Sequence, residues 1–79
     1  MIKYNFGKLK GKIKEVYNTQ NDFAKDMAMA PNTLSSKLNN QSYFSSEEIS
    51  KAVVLLKITN PTEAWHIFFT EEVENISTD

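Results

Sequence analysis

Between Pro31 and Asn40 the chain carries Asn32, Thr33, Ser35, Ser36 and Lys37, and no acid. Small hydrogen-bonding side chains beside one cation suit contact with a polyanion, not bond-making chemistry. Catalytic and metal chemistry have no comparable set. His66 is the sole histidine and there is no cysteine, so neither paired metal ligands nor a thiol nucleophile exists. No glycine-rich phosphate loop is present. Glu47, Glu48 and Glu63 fit the first turns of helices, where the dipole favours an acid. The expectation is a protein that is not an enzyme and uses no cofactor or metal.

The polar run needs helices to hold it. Residues 20–38, QNDFAKDMAMAPNTLSSKL, read as two short amphipathic helices, one from Gln20 to near Met27 and one from Pro31 to Leu38 or Asn39. Phe23, Ala24 and Met27 make the apolar face of the first, and Leu34 and Leu38 that of the second. Ala28-Met29-Ala30 forms a tight corner between them. Pro31 opens the second helix, where a missing N–H is harmless. Thr19 suits the N-cap position, with Asp22 in the first turn. This is the layout of a DNA-binding helix-turn-helix, whose second helix enters the major groove. Proteins that bind other proteins use it too, and the apolar residues alone report only two packed helices.

The remaining elements follow from the same periodicity. Met1 to Asn5 alternates and fits an extended arm or a brief strand, free to pair with the C-terminal segment. A first helix is expected over Phe6–Tyr17, with Phe6, Leu9, Ile13, Val16 and Tyr17 on its apolar stripe. Gly7 and Gly11 weaken it, and such glycines often permit close helix packing. Lys10, Lys12 and Lys14 lie off the stripe and are expected in solvent. Asn39 to Ser42 is a polar loop, after which Tyr43 and Phe44 return to the core. Ser45 and Glu48 have capping-box spacing for a fourth helix ending near Leu56. Ile49, Ala52, Val53 and Leu56 are its buried face, widened by Val54 and Leu55. Asn60-Pro61-Thr62-Glu63 starts a fifth helix, Pro61–Phe69, which sends Trp65, Phe68 and Phe69 inward. The domain is expected over residues 1–69, followed by an acidic tail over 70–79.

Seventy-nine residues with 41% apolar content make one small domain with one core. No apolar run reaches the roughly 18 residues of a membrane span, so a cytoplasmic protein is the default and no membrane partner is expected. The net charge of −1 hides an asymmetry. Residues 1–44 hold seven lysines against Glu15, Asp22 and Asp26, whereas residues 45–79 hold Lys51 and Lys57 against seven acids. A basic half on an acidic body hints at a polyanion-binding face.

With five helices placed, Gln20, Phe23-Ala24, Met27, Ala28-Met29-Ala30, Leu34 and Leu38 resemble the pattern of the lambda-repressor-like helix-turn-helix family. Phe6 to Ile13, Thr33 to Asn40 and His66 to Thr70 are further similar to short phage-encoded members of Cro and CI type. The family corner usually holds glycine where this chain has Ala28, because that residue tends to have positive φ. An alanine there would cost roughly 1–2 kcal/mol, unless the corner is shaped differently.

The resemblance implies an all-α, five-helix, lambda-repressor-like DNA-binding bundle with the helix-turn-helix at about residues 20–38. It implies a transcriptional repressor in a bacterial host, acting on a two-fold double-stranded DNA operator as a homodimer. Pro31, Asn32, Thr33 and Ser36 would face base edges, Asn32 pairing with adenine. Gln20, Ser35, Lys37, Asn39, Asn40, Gln41, Lys3 and Lys8 would meet phosphates. The dimer surface would come from Trp65, Phe69, Val73 and Ile76. The competing expectation is a protein-interaction module of the same fold, an anti-repressor or antitoxin-like partner. A DNA binder should gather Gln20, Lys37 and several of Lys3, Lys8 and Lys25 around the third helix. An interaction module should expose apolar surface there instead.

Overall fold

The computed structural model describes residues 3–71 as five helices: α1 (Gly7–Tyr17), α2 (Gln20–Asp26), α3 (Pro31–Leu38), α4 (Ser46–Leu55) and α5 (Pro61–Phe69). The all-α expectation holds, and each observed helix begins and ends within a residue or so of its expected position. Their starts are set by local chemistry. Thr19 Oγ1 accepts the Asp22 N–H at 3.1 Å, and Asn60 Oδ1 accepts those of Thr62 and Glu63. Ser45 and Glu48 complete the reciprocal capping box. Helix α1 starts one residue later than expected. Asn5 Oδ1 takes the Gly7 N–H at 2.8 Å and stands in for the absent cap at Phe6.

Three helix ends share one device. After α2, α3 and α4 the chain turns through a left-handed residue, Ala28 (φ 58°), Asn40 (φ 64°) and Lys57 (φ 59°). In each, that residue and the next donate backward to the helix, as Ala28 N to Lys25 O (3.0 Å) and Met29 N to Ala24 O (2.9 Å). This is the Schellman arrangement, which normally recruits glycine. The chain's two glycines lie inside α1 instead. Neither brings helices closer together: a Cβ on Gly11 would meet nothing within 4 Å, and one on Gly7 only Asn5 Oδ1 at 3.1 Å.

Helix α1 packs on both α2 and α5, and α2 packs on α3. Leu9, Ile13, Phe23, Leu34 and Leu56 are the largest side chains sealed in the centre, and no polar side chain is buried among the described residues. Tyr17 on α1 donates to Asp26 of α2 at 2.8 Å, with its ring edge-on to Phe23. Partial burial and the adjacent Asp26 carboxylate push its phenol pKa up.

Four apolar assignments change. Val54 is 75% exposed, because it lies two residues, about 200° of helix, from buried Leu56. Trp65 is 62% exposed by the same geometry, since Ile67 takes the inward position on α5 with Phe68. Tyr43 is 52% exposed and only Phe44 turns inward. Ile58, just beyond the expected end of the fourth helix and outside its expected buried face, is buried, at the position where a Schellman turn places an apolar residue against the helix it leaves.

The N-terminal arm does pair with the C-terminal segment. Tyr4 and Glu71 form an isolated antiparallel bridge, and Asn5 N donates to Thr70 O at 2.7 Å. Thr70 and Glu71 therefore pack with the helical body. Val73 and Ile76 lie outside the described residues. No helix among the described residues is long and apolar enough to cross a membrane.

Candidate interface on the second and third helices

Helices α2 and α3 meet through the Schellman turn at Met27–Ala30. Ala28 has the positive φ that the glycine of the resembled pattern would supply. Ala30 is the N-cap residue of α3, its carbonyl accepting from Thr33 and Leu34, and Pro31 is the first helical residue. Leu34 and Leu38 face inward, which turns Asn32, Thr33 and Ser35 to solvent and leaves Ser36 half-buried. The corner itself offers Ala28, Ala30 and Pro31 as exposed apolar surface beside half-buried Met29. Gln20 is exposed at the start of α2, and Lys25 is exposed further along it.

Lys37, the only charge on α3, is turned back into the molecule. Its Nζ donates to the Tyr43 carbonyl at 2.8 Å, lies 3.1 Å from Glu48 Oε1 and sits over the Phe44 ring. The side chain is 12% exposed. Partial burial pushes the Glu48 carboxyl up, but the Ser45 N–H, the Lys37 ammonium and the Ser45 hydroxyl outweigh it and hold the pKa below the usual range. One carboxylate thus caps α4 and neutralises the cation of α3.

Asn40 is also occupied. Its amide pairs with both polar groups of the Tyr4 backbone, accepting from Tyr4 N at 2.8 Å and donating to Tyr4 O at 2.9 Å. Asn39 Nδ2 donates to Ser35 Oγ at 3.4 Å, and Gln41 is exposed. Lys3 lines a cleft with Lys10, Asn39 and Asn40 at the end of α3. Lys8 instead lines the groove between α1 and α5, with Lys12, Glu15, Glu63 and His66. Lys10 and Lys14 are exposed, while Lys12 is half-buried, 3.9 Å from Glu15.

The expected contact set therefore divides. Asn32, Thr33, Ser35 and Pro31 share the outer face of α3, while Lys37 and Asn40 hold the fold together and Lys8 lines a different groove. Sequence reasoning missed Glu48 as the partner of Lys37, having accounted for it as a cap. It also missed Lys10 as a neighbour of Asn39. No group of acids and histidines able to hold a metal occurs among the described residues.

These features define an all-helical protein whose second and third helices meet at a tight turn. The chain belongs to the family described as protein of unknown function (DUF739), whose model matches residues 2–72. It is similar to the solution structure of the modulator of repression (MOR) of the temperate bacteriophage TP901-1 from Lactococcus lactis, with 39% sequence identity and a TM-score of 0.71. The match covers 84% of this chain and 88% of that one. No curated protein matches the chain.

Proposed function

We propose that this protein is a phage or prophage regulator that modulates repression by binding another protein through the outer face of α3 and the corner before it. The carrying observation is the pairing of Lys37 with Glu48 and the Tyr43 carbonyl. Affinity for duplex DNA rests largely on cations that displace counterions from phosphates. Helix α3 offers none free, and instead presents Asn32, Thr33 and Ser35 beside the apolar Ala28, Ala30 and Pro31. The lack of charge on this face and the exposed apolar corner support a protein partner, since the centres of protein interfaces are poor in charged residues. The similarity to a phage modulator of repression supports the regulatory role, and a repressor of the same phage is the natural partner. In this reading the helical body, with Thr70 and Glu71 joined to it, is the binding domain.

A second reading keeps the lambda-repressor-like likeness and has α3 read an operator, with the chain as a dimer. Gln20 exposed at the start of α2, and Asn32 and Thr33 exposed in the first turn of α3, favour it. One paired experiment separates the two. Calorimetry of the chain with the repressor encoded in the same phage genome should show saturable binding, weakened at least tenfold by Asn32→Arg. Selection from a random duplex library should enrich no sequence. Enrichment of a sequence, with preference relaxed at one base by Asn32→Ala, would replace the first reading with the second. Absence of binding to the repressor would overturn the first reading outright.

A further inference from the structure

The cleft at the end of α3 carries charge of one sign. It encloses about 510 Å³ and is lined by Lys3 and Asn5 of the arm, Gly7 and Lys10 of α1, and Leu38 and Asn39 at the end of α3, among others. Two of its side-chain oxygens are already engaged: Asn5 Oδ1 accepts the Gly7 N–H and Asn40 Oδ1 the Tyr4 N–H, both at 2.8 Å. The charged groups it offers are the ammoniums of Lys3 and Lys10, both exposed and in no ion pair among the described residues. No carboxylate offsets them, since none lines the cleft and the first turn of α1 carries none. Glu71, the bridge partner of Tyr4, lies outside the lining.

The cleft is continuous with the outer face of α3. Asn39 lines it and donates to Ser35 Oγ, and Ser35 stands exposed on that face with Asn32. At about 1.5 Å per residue, the eight residues of α3 span about 12 Å. The start of the helix offers the apolar corner of Ala28, Ala30 and Pro31, and its end the two lysines. A partner lying along α3 therefore meets apolar surface at one end and positive charge at the other. Two ammonium groups match one or two carboxylates through charge-assisted hydrogen bonds. A duplex bound by charge engages roughly 6–10 phosphates, and the outer face of α3 between corner and cleft supplies no free cation.

We infer that the protein bound by α3 inserts an aspartate or glutamate into this cleft, its carboxylate meeting the Lys3 and Lys10 ammonium groups. The inference rests on the protein-binding reading of α3 and adds to it the chemistry of a second anchor. On a partner helix the acid would stand roughly seven or eight residues, two turns, from the apolar side chain that meets the corner.

The full chain is titrated in the calorimeter with the repressor encoded in the same phage genome. Lys3→Glu with Lys10→Glu should weaken binding at least tenfold, with a thermal melt confirming a folded chain. Lys8→Glu, in the groove between α1 and α5, should leave the affinity unchanged. One acid of the repressor, changed to lysine in a scan, should restore binding to the doubly reversed chain and weaken binding to the parent. Loss of binding that no such lysine rescues overturns the inference. Repressor binding that is weakened by Asn32→Arg but not by the double reversal also overturns it, and leaves the α3 reading standing. Absence of binding by the parent chain removes both. Weaker binding of a random-sequence duplex in low salt, with repressor affinity unchanged, would give the cleft to phosphates. A melt lowered equally by the double reversal and by Glu72→Gln with Glu74→Gln, repressor affinity again unchanged, would give it to the chain's own acids.

Discussion

Lys37 Nζ lies 3.1 Å from Glu48 Oε1, the same carboxylate oxygen that accepts the Ser45 N–H and closes the capping box of α4. A residue on α3 and the N-terminus of α4 are thereby fixed to each other. Glu48→Gln keeps the acceptor for the Ser45 N–H but removes the charge paired with Lys37, and should lower stability by up to about 1 kcal/mol. That limit corresponds to a fall in Tm of about 4–8 °C by calorimetry for a domain of this size. It should also free the Lys37 ammonium, steepening the salt dependence of any residual duplex binding by about one unit.

The same carboxylate predicts an acid limb. A group whose pKa is lowered by folding stabilises the protein above its unfolded value and loses that contribution as pH falls through the folded one. Glu48 is such a group. Urea unfolding at about pH 6 and about pH 3 should therefore show a larger loss for the parent chain than for Glu48→Gln.

How much of this was legible in the sequence depends on how far each cause reaches along the chain. The starts of α2, α4 and α5 are written in Thr19, Ser45 with Glu48, and Asn60, because a cap acts within three residues. The inward face of α5 is not legible that way. Trp65, Ile67, Phe68 and Phe69 are all apolar, so periodicity offers more than one stripe, and packing against α1 selects Ile67 and Phe68. The interface was read least well where a partner lies on another element. Lys37 looks free until α4 brings Glu48 beside it, and Asn40 looks like loop surface until the arm arrives with Tyr4.

Alanine at Ala28 and lysine at Lys57 occupy left-handed backbone at φ 58° and 59°. Glycine relieves a strain of about 1–2 kcal/mol there and returns about 0.5–1 kcal/mol through the entropy of the unfolded chain. Ala28→Gly and Lys57→Gly should each stabilise by up to about 1 kcal/mol in chemical denaturation. Asn40→Gly should do the opposite despite a similar φ. It removes both hydrogen bonds to Tyr4 and leaves partly buried backbone groups unpaired, at about 1–3 kcal/mol.

Within α1 the two glycines separate cleanly. Gly11→Ala enters open space and should stabilise by about 0.5–1 kcal/mol. Gly7→Ala meets Asn5 Oδ1 at 3.1 Å, the atom that caps the helix, so most of that gain should vanish. Parallel thermal melts of the two variants check the difference.

The antiparallel contact between Tyr4 and Glu71 brings the beginning and the end of the described chain to one place. In effect the described chain is a ring with a single gap. Joining Glu71 to Lys3 through a short flexible linker, and opening the chain at the polar loop around Ser42, should give a circular permutant of the same fold. In the permutant the arm and the α5 end would be continuous chain.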